Sequence, residues 1–203
     1  KKVSTFESSN RIFNAAHRLI EKAVRSNMQS VFTDCPHREK LGWLEQVHLN
    51  GPGLLYNYDL TAYAPQIMQN MVDAQHSNGA MPTTAPEYVI FEGPGMDAFA
   101  ESPEWGGSLV IFPFMYYETY GDDSLIKKYY PNMRRYVDYL KTRADKGILS
   151  FGLGDWYDYG DFRAGFSRNT PVPLVATAHY YMTVMYLVQA AKMVGNDFDL
   201  SLI

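Results

Sequence analysis

The chain has a single cysteine, Cys35, in 203 residues, so no internal disulfide can form. A lone cysteine fits a reducing compartment and leaves an oxidising one open. Charge is also sparse: 20% of residues are charged and the net charge is -4. That balance argues against nucleic acid or an anionic membrane as the main partner. No apolar run approaches the roughly 20 residues of a membrane span. No secretory signal pattern opens the chain, which starts at Lys1-Lys2-Val3 without an initiator methionine and reads as a piece of a longer protein. Its compartment stays open. Metal ligands are few as well. Cys35 and His37 stand together, but there is no second cysteine, no His-Glu-x-x-His helix and no calcium-loop spacing. Gly152-Leu153-Gly154 lacks the third glycine of a dinucleotide fingerprint. No metal or cofactor is expected, and no linker, repeat or low-complexity segment marks a domain boundary.

Aromatic residues, by contrast, are abundant: 15% of the chain, with 16 Tyr, 11 Phe and 3 Trp. Tyr and Trp offer both an apolar face and a polar edge, which suits a wide polar pocket; a Tyr-rich core accounts for them equally well. Helical periodicity dominates. Asn10 to Met28 carries an i, i+3, i+4 stripe of Ile12, Phe13, Ala16, Leu19, Ile20, Ala23 and Val24 and predicts an amphipathic helix. A second helix is expected from about Asn57 to Gln75, with Asp59 as a cap and Pro65 imposing a kink or a later start. A third fits Glu104 to Tyr120. A fourth fits Asp123 to Ala144, with Pro131 dividing it into two pieces. The last fits Val175 to Val194, and a short strand is expected near Gly147 to Phe151. Long irregular connections lie between, and such connections tend to be functional. The fold class is all-α with long loops. His17, His76 and His179 read as structural.

The richest stretch is Asp34-Cys35-Pro36-His37-Arg38-Glu39-Lys40-Leu41-Gly42-Trp43-Leu44-Glu45. Pro36 and Gly42 argue for an irregular loop, which can aim several polar groups at one place. Acid, base, hydrogen-bond donors and a flat indole are the parts needed to hold and protonate a sugar, and glycosidases work with a pair of carboxyl groups. Spacing alone equally allows a solvated loop with Asp34 capping a turn. Trp43, Trp105 and Trp156 each sit beside acids or glycines, as in Glu104-Trp105-Gly106-Gly107 and Asp155-Trp156. Each can wall a sugar site or plug a core. Asp155, Asp158 and Asp161 can bind hydroxyls, bind calcium or form a polar loop.

The segment from Asp34 to Trp43 resembles the Asp-Cys-Pro-x-Arg-(x)-Glu-Arg-x-Gly-Trp signature of bacterial α-L-rhamnosidases, glycoside hydrolase family 78. Asn78-Gly79-Ala80-Met81-Pro82 is similar to that family's Gly-x-x-Pro segment. Ser102-Pro103-Glu104-Trp105-Gly106 is similar to its Pro-x-Trp-Gly helix start, and Gly154-Asp155-Trp156 to its Gly-Asp-Trp turn. The resemblance implies an (α/α)6 barrel, of which residues 1–203 are an N-terminal part that is inactive alone. It implies Glu39 as general acid. Asp34, Arg38, Trp43, Glu45, Trp105, Asp155 and Trp156 become substrate-binding residues. A rhamnose-containing oligosaccharide or glycoside is the implied partner, together with the rest of the catalytic domain. Inversion is implied too, with carboxyl groups roughly 6.5–9.5 Å apart and the base beyond Ile203. Two departures stand out. Glu39 follows Arg38 directly, where the family often has one more residue. Gly42-Trp43-Leu44-Glu45-Gln46 replaces the usual Gly-Trp-x-Gly-Asp, so Glu45 reaches from one position earlier.

Overall fold

A computed structural model describes residues 1–196. The chain is mostly helical. In order come α1 (Arg11–Asn27), α2 (Glu45–Leu49), α3 (Gly51–Asn57), α4 (Ala64–Ala74), α5 (Asp97–Ala100), α6 (Pro103–Gly106), α7 (Ser108–Tyr120) and α8 (Ser124–Arg143). A small antiparallel hairpin of β1 (Asp158–Gly160) and β2 (Phe162–Gly165) precedes α9 (Val172–Val194). The short strand expected near Gly147 is instead a tight turn, closed by an isolated bridge between Asp145 and Ile148.

Local chemistry sets most of the ends. Asn10 caps α1 by accepting the Ile12 N–H at 2.9 Å, satisfying one of the first-turn donors. Pro65 falls in the first turn of α4, where a missing N–H does no harm. The second helix therefore starts late, and Asp59 closes a turn with Thr61 instead of capping it. Gly121 and Gly195 end α7 and α9 in the left-handed conformation. The expected third helix is split: α6 ends at Gly106, and α7 begins again after Gly107. The fourth helix is continuous, contrary to the expected break. Pro131 and Lys127 are both exposed, so water can satisfy the carbonyl that the proline leaves without a donor.

The core centres on α7, which packs against α2, α3, α4, α6, α8 and α9. Its residues 108–114 are all buried, so it is apolar around its whole circumference and not along one stripe. On α8 the expected face of Leu125, Tyr129, Met133, Tyr136, Val137 and Leu140 is buried. On α1 the expected stripe is not: no α1 residue is buried, and Ile12, Phe13, Leu19 and Ile20 are exposed among the described residues.

The motif loop is irregular, as its proline and glycine demand. Residues 36–39 form a turn, and the Asp34 N–H donates to the Leu41 carbonyl at 3.1 Å. Residues 42–44 then run antiparallel to 83–85: the Ala85 N–H bonds the Gly42 carbonyl at 2.9 Å, and the Leu44 N–H bonds the Thr83 carbonyl at 2.8 Å. The backbones approach so closely that a Cβ on Gly42 would lie 2.5 Å from the Ala85 oxygen. Only glycine fits there. The contact aims Trp43 and carries the chain into α2.

Candidate active site

Three segments converge on one cavity of about 570 Å³: the motif loop with α2, the 91–105 stretch, and the 153–157 turn. Its size lies within the roughly 300–1,000 Å³ of small-molecule sites. Two chemistries share its wall. Trp43, Phe91, Phe99, Trp105, Trp156 and Tyr157 supply aromatic surface, and Asp34, Glu39 and Glu45 supply carboxyl groups. The rings brace one another. Trp43 stacks on Phe91 at 5.4 Å, and Phe99 meets Trp156 edge-on at 5.2 Å. Such contacts hold flat faces rigid.

Each carboxyl group has a different setting. Glu39 is half-exposed, and its Oε2 accepts the Trp43 indole N–H at 2.9 Å. Its backbone N–H donates to the Cys35 Sγ at 3.2 Å, so the turn and the indole together fix the side chain. Arg38 lies 3.7 Å from the other oxygen but is 72% exposed. Glu45, the first residue of α2, accepts the Gln46 amide at 2.9 Å. Burial, helped by the neighbouring negative charge of Asp34, pushes its carboxyl up to about 7. Asp34 Oδ1, Glu45 Oε2 and Trp105 Nε1 are buried and make no hydrogen bond within the protein. Two acceptors and one donor thus lie without a protein partner on residues that line one cavity.

The structure brings six of the eight expected site residues to this cavity: Asp34, Glu39, Trp43, Glu45, Trp105 and Trp156. It does not bring Arg38 or Asp155 into the lining. The 36–39 turn carries Arg38 outward, and Asp155 is exposed. Asp158 is committed elsewhere: it accepts the backbone N–H groups of Arg168 at 2.6 Å and Asn169 at 2.7 Å. Those bonds hold its carboxyl below the usual range and stitch the hairpin loop together. Among the described residues no cluster of three His, Cys, Asp or Glu side chains is arranged to hold a metal ion. Phe91, Phe99 and Tyr157 were not singled out in the sequence. The only signal for the first two was the length of the loop that carries them.

Burial raises a second glutamate, Glu104 on α6, to about 7 as well. Both groups bind protons more tightly folded than at the ordinary value of 4.5. Their contribution to stability is full below about pH 4.5 and is lost as pH rises through about 7, by up to about 3 kcal/mol each. His48 works the other way, because burial lowers it to about 4 and its share is lost as pH falls below its ordinary value. Two acids outweigh one histidine. The melting temperature is expected to fall between pH 5 and pH 7.5, with a shallower fall in Glu45→Gln and Glu104→Gln. An unchanged slope in both variants would contradict this account.

Comparison with known proteins gives the family. Residues 1–202 match the model of the bacterial α-L-rhamnosidase six-hairpin glycosidase domain. The chain belongs to that family. An α-L-rhamnosidase of Formosa agariphila is 29% identical over 204 residues, covering 97% of this chain and 21% of the relative. The α-L-rhamnosidase structure from Dictyoglumus thermophilum superposes with a TM-score of 0.85 at 27% identity, over 98% of this chain and 22% of that one. The Streptomyces avermitilis α-L-rhamnosidase, solved with L-rhamnose, gives 0.81 at 27% identity, over 95% and 18%. This chain therefore spans about a fifth of the length of the relatives it matches. Its helices are part of the six-hairpin, (α/α)6 architecture of the rhamnosidase domain. No helix of the described residues is long and apolar enough to cross a membrane.

Proposed function

We propose that this chain supplies the acid-bearing wall of an α-L-rhamnosidase active site and hydrolyses terminal α-L-rhamnosyl residues as part of a longer polypeptide. Residues 1–203 then form the N-terminal part of an (α/α)6 catalytic domain. The observation that supports this most is the meeting of three carboxyl groups and three indoles at one cavity in a chain of the rhamnosidase family.

In this reading the sugar lies against the indole faces, and its hydroxyls bond Asp34, Glu45 and the Trp105 N–H. Glu39 protonates the glycosidic oxygen as the bond to the anomeric carbon lengthens. A base from outside these residues takes a proton from a water that attacks the opposite face, which inverts the configuration. Glu39 is fixed by the Trp43 indole and lies on the accessible side of the wall, where a leaving group must depart. Arg38, beside Glu39, and Asp155, before Trp156, complete the ligand set only if the bound sugar reaches beyond the cavity lining.

A second assignment of the acid has its own support. Glu45 is raised to about 7, and a proton donor at neutral pH needs such a value. A panel of nitrophenyl glycosides assayed on the full-length protein tests the function. Release from the α-L-rhamnoside in preference to α-L-fucoside, α-D-mannoside and β-D-glucoside is expected. No release from the rhamnoside would overturn it.

A further inference from the structure

Outside the cavity lining, one buried acid has no role in the reaction just described. Glu104 is only 4% exposed. Its Oε2 accepts the Ser102 hydroxyl at 2.6 Å. That same hydroxyl oxygen accepts the Leu153 N–H at 2.7 Å. Oε1 has no partner within the protein. Gly152 is laid so tightly on this group that a Cβ there would meet Ser102 Oγ at 2.7 Å and Glu104 Oε2 at 2.9 Å. Two cavity indoles flank the knot. Trp105 follows Glu104 directly on α6, and the backbone N–H of Trp156 donates to the Gly154 carbonyl at 2.9 Å.

We propose that Glu104 is a positioning residue: with Ser102, the peptide N–H of Leu153 and the closely laid Gly152, it fastens the loop carrying Trp156 to the helix carrying Trp105. The spacing between these two indoles, and so the width of the cavity, is set by that knot. A hydroxyl relay with one carboxyl oxygen suits the task, because bonds to buried backbone donors are costly to leave unmade.

The knot also has a pH sense. Burial is the leading cause that raises Glu104, and no neighbouring charge contributes. Titratable groups on the surrounding elements include Glu45 and His48 of α2, Tyr136 of α8, and His179 and Tyr180 of α9; Glu101 is paired with Arg143 and Tyr139. Closed, the carboxyl holds its proton to about pH 7; with the loop lifted and water admitted, it returns toward its ordinary value. Loop opening is therefore favoured as pH rises through this interval and levels off above it.

Hydrogen exchange and rhamnoside kinetics on the full-length protein test this with Glu104→Ala, Glu104→Gln and Ser102→Ala. After correction for intrinsic rates, Glu104→Ala and Ser102→Ala are expected to speed exchange of the Leu153 amide at least tenfold, leaving α8 amides unchanged. KM should rise about tenfold, with kcat less affected. Glu104→Gln keeps a neutral acceptor, so it should restore loop protection and abolish the pH-dependent opening. Two results would overturn the role: loop exchange that changes only in step with α8, or a glutamine variant as loose as alanine. Should Glu104→Ala fail to fold, Ser102→Ala and the glutamine variant decide by the same readouts. The kinetic arm rests on the rhamnosidase reading. The exchange arm does not, so the two ideas fail separately.

Discussion

Glu39→Gln in the full-length protein is expected to lower turnover of an unactivated α-L-rhamnoside by about 10²–10⁴-fold, the contribution of a positioned general acid. Glutamine keeps an oxygen that can accept the Trp43 indole N–H, now 2.9 Å away. The wall should stay in place and KM should change little. The loss should therefore sit in kcat, which marks an interaction made only in the transition state. It should shrink with a nitrophenyl leaving group, because an acidic phenol departs with little protonation. Glu45→Gln is the necessary companion. If Glu45 only orients hydroxyls, its replacement raises KM and leaves the leaving-group dependence unchanged. If Glu39→Gln turns over normally and Glu45→Gln acquires the steep leaving-group dependence, the proton comes from Glu45 instead. Its position in the first turn of α2, partly buried and against Asp34, would then be the reason.

Local rules made much of the fold legible. The apolar stripe on α1, the kink or late start signalled by Pro65 and the buried face of α8 are all effects of spacing within a few turns. What local rules missed has a common cause. Helices α2, α3, α5 and α6 have 4–7 residues, too short to show a period of 3.6. The β1–β2 hairpin has 3 and 4 residues per strand, which is equally short for a period of two. Pro131 misled because an interior proline costs a hydrogen bond and a clash without having to end the helix: α8 runs through Pro131 and α7 through Pro113, both held by packing along the whole helix. The direction of the α1 stripe is a tertiary fact that periodicity cannot supply: the pattern identifies a face, not what covers it.

The site was legible to a different degree. Motif resemblance located the residues near the cavity, since Glu39, Trp43 and Glu45 belong to one loop and Trp105 and Trp156 to two others. It could not tell which member of a charged loop turns inward. Arg38 and Glu39 are adjacent, yet only Glu39 lines the cavity, because residues 36–39 form a tight turn. Phe91 and Phe99 carry no motif, and their part depends on rings stacked from distant segments. Glu104 was visible only as the residue before a tryptophan. Its raised carboxyl follows from burial under the 152–154 loop, which no spacing rule encodes.

The largest loss of stability is expected at the centre of the core. Phe112 has no exposed surface and lies midway along α7, where every side is covered by another helix or by the 42–58 segment. Removing its ring should cost about 3–5 kcal/mol, the transfer term plus the cavity left behind. A helix packed on all sides has no free direction in which to collapse, so the upper half of that range applies. The effect should reach the site through a specific path. Ser108, one turn earlier on α7, donates to the Leu44 carbonyl at 2.5 Å and contacts His48 Nδ1 at 2.5 Å. Those bonds anchor both sides of Glu45. Phe112→Ala should therefore speed hydrogen exchange in α7 and α8 by about three to three and a half powers of ten. In the same variant, α2 amides should lose protection, while those of α1, which has no buried residue, should not. Loss confined to α7, with α2 unaffected, would show that the acid-bearing wall stands independently of the core beneath it.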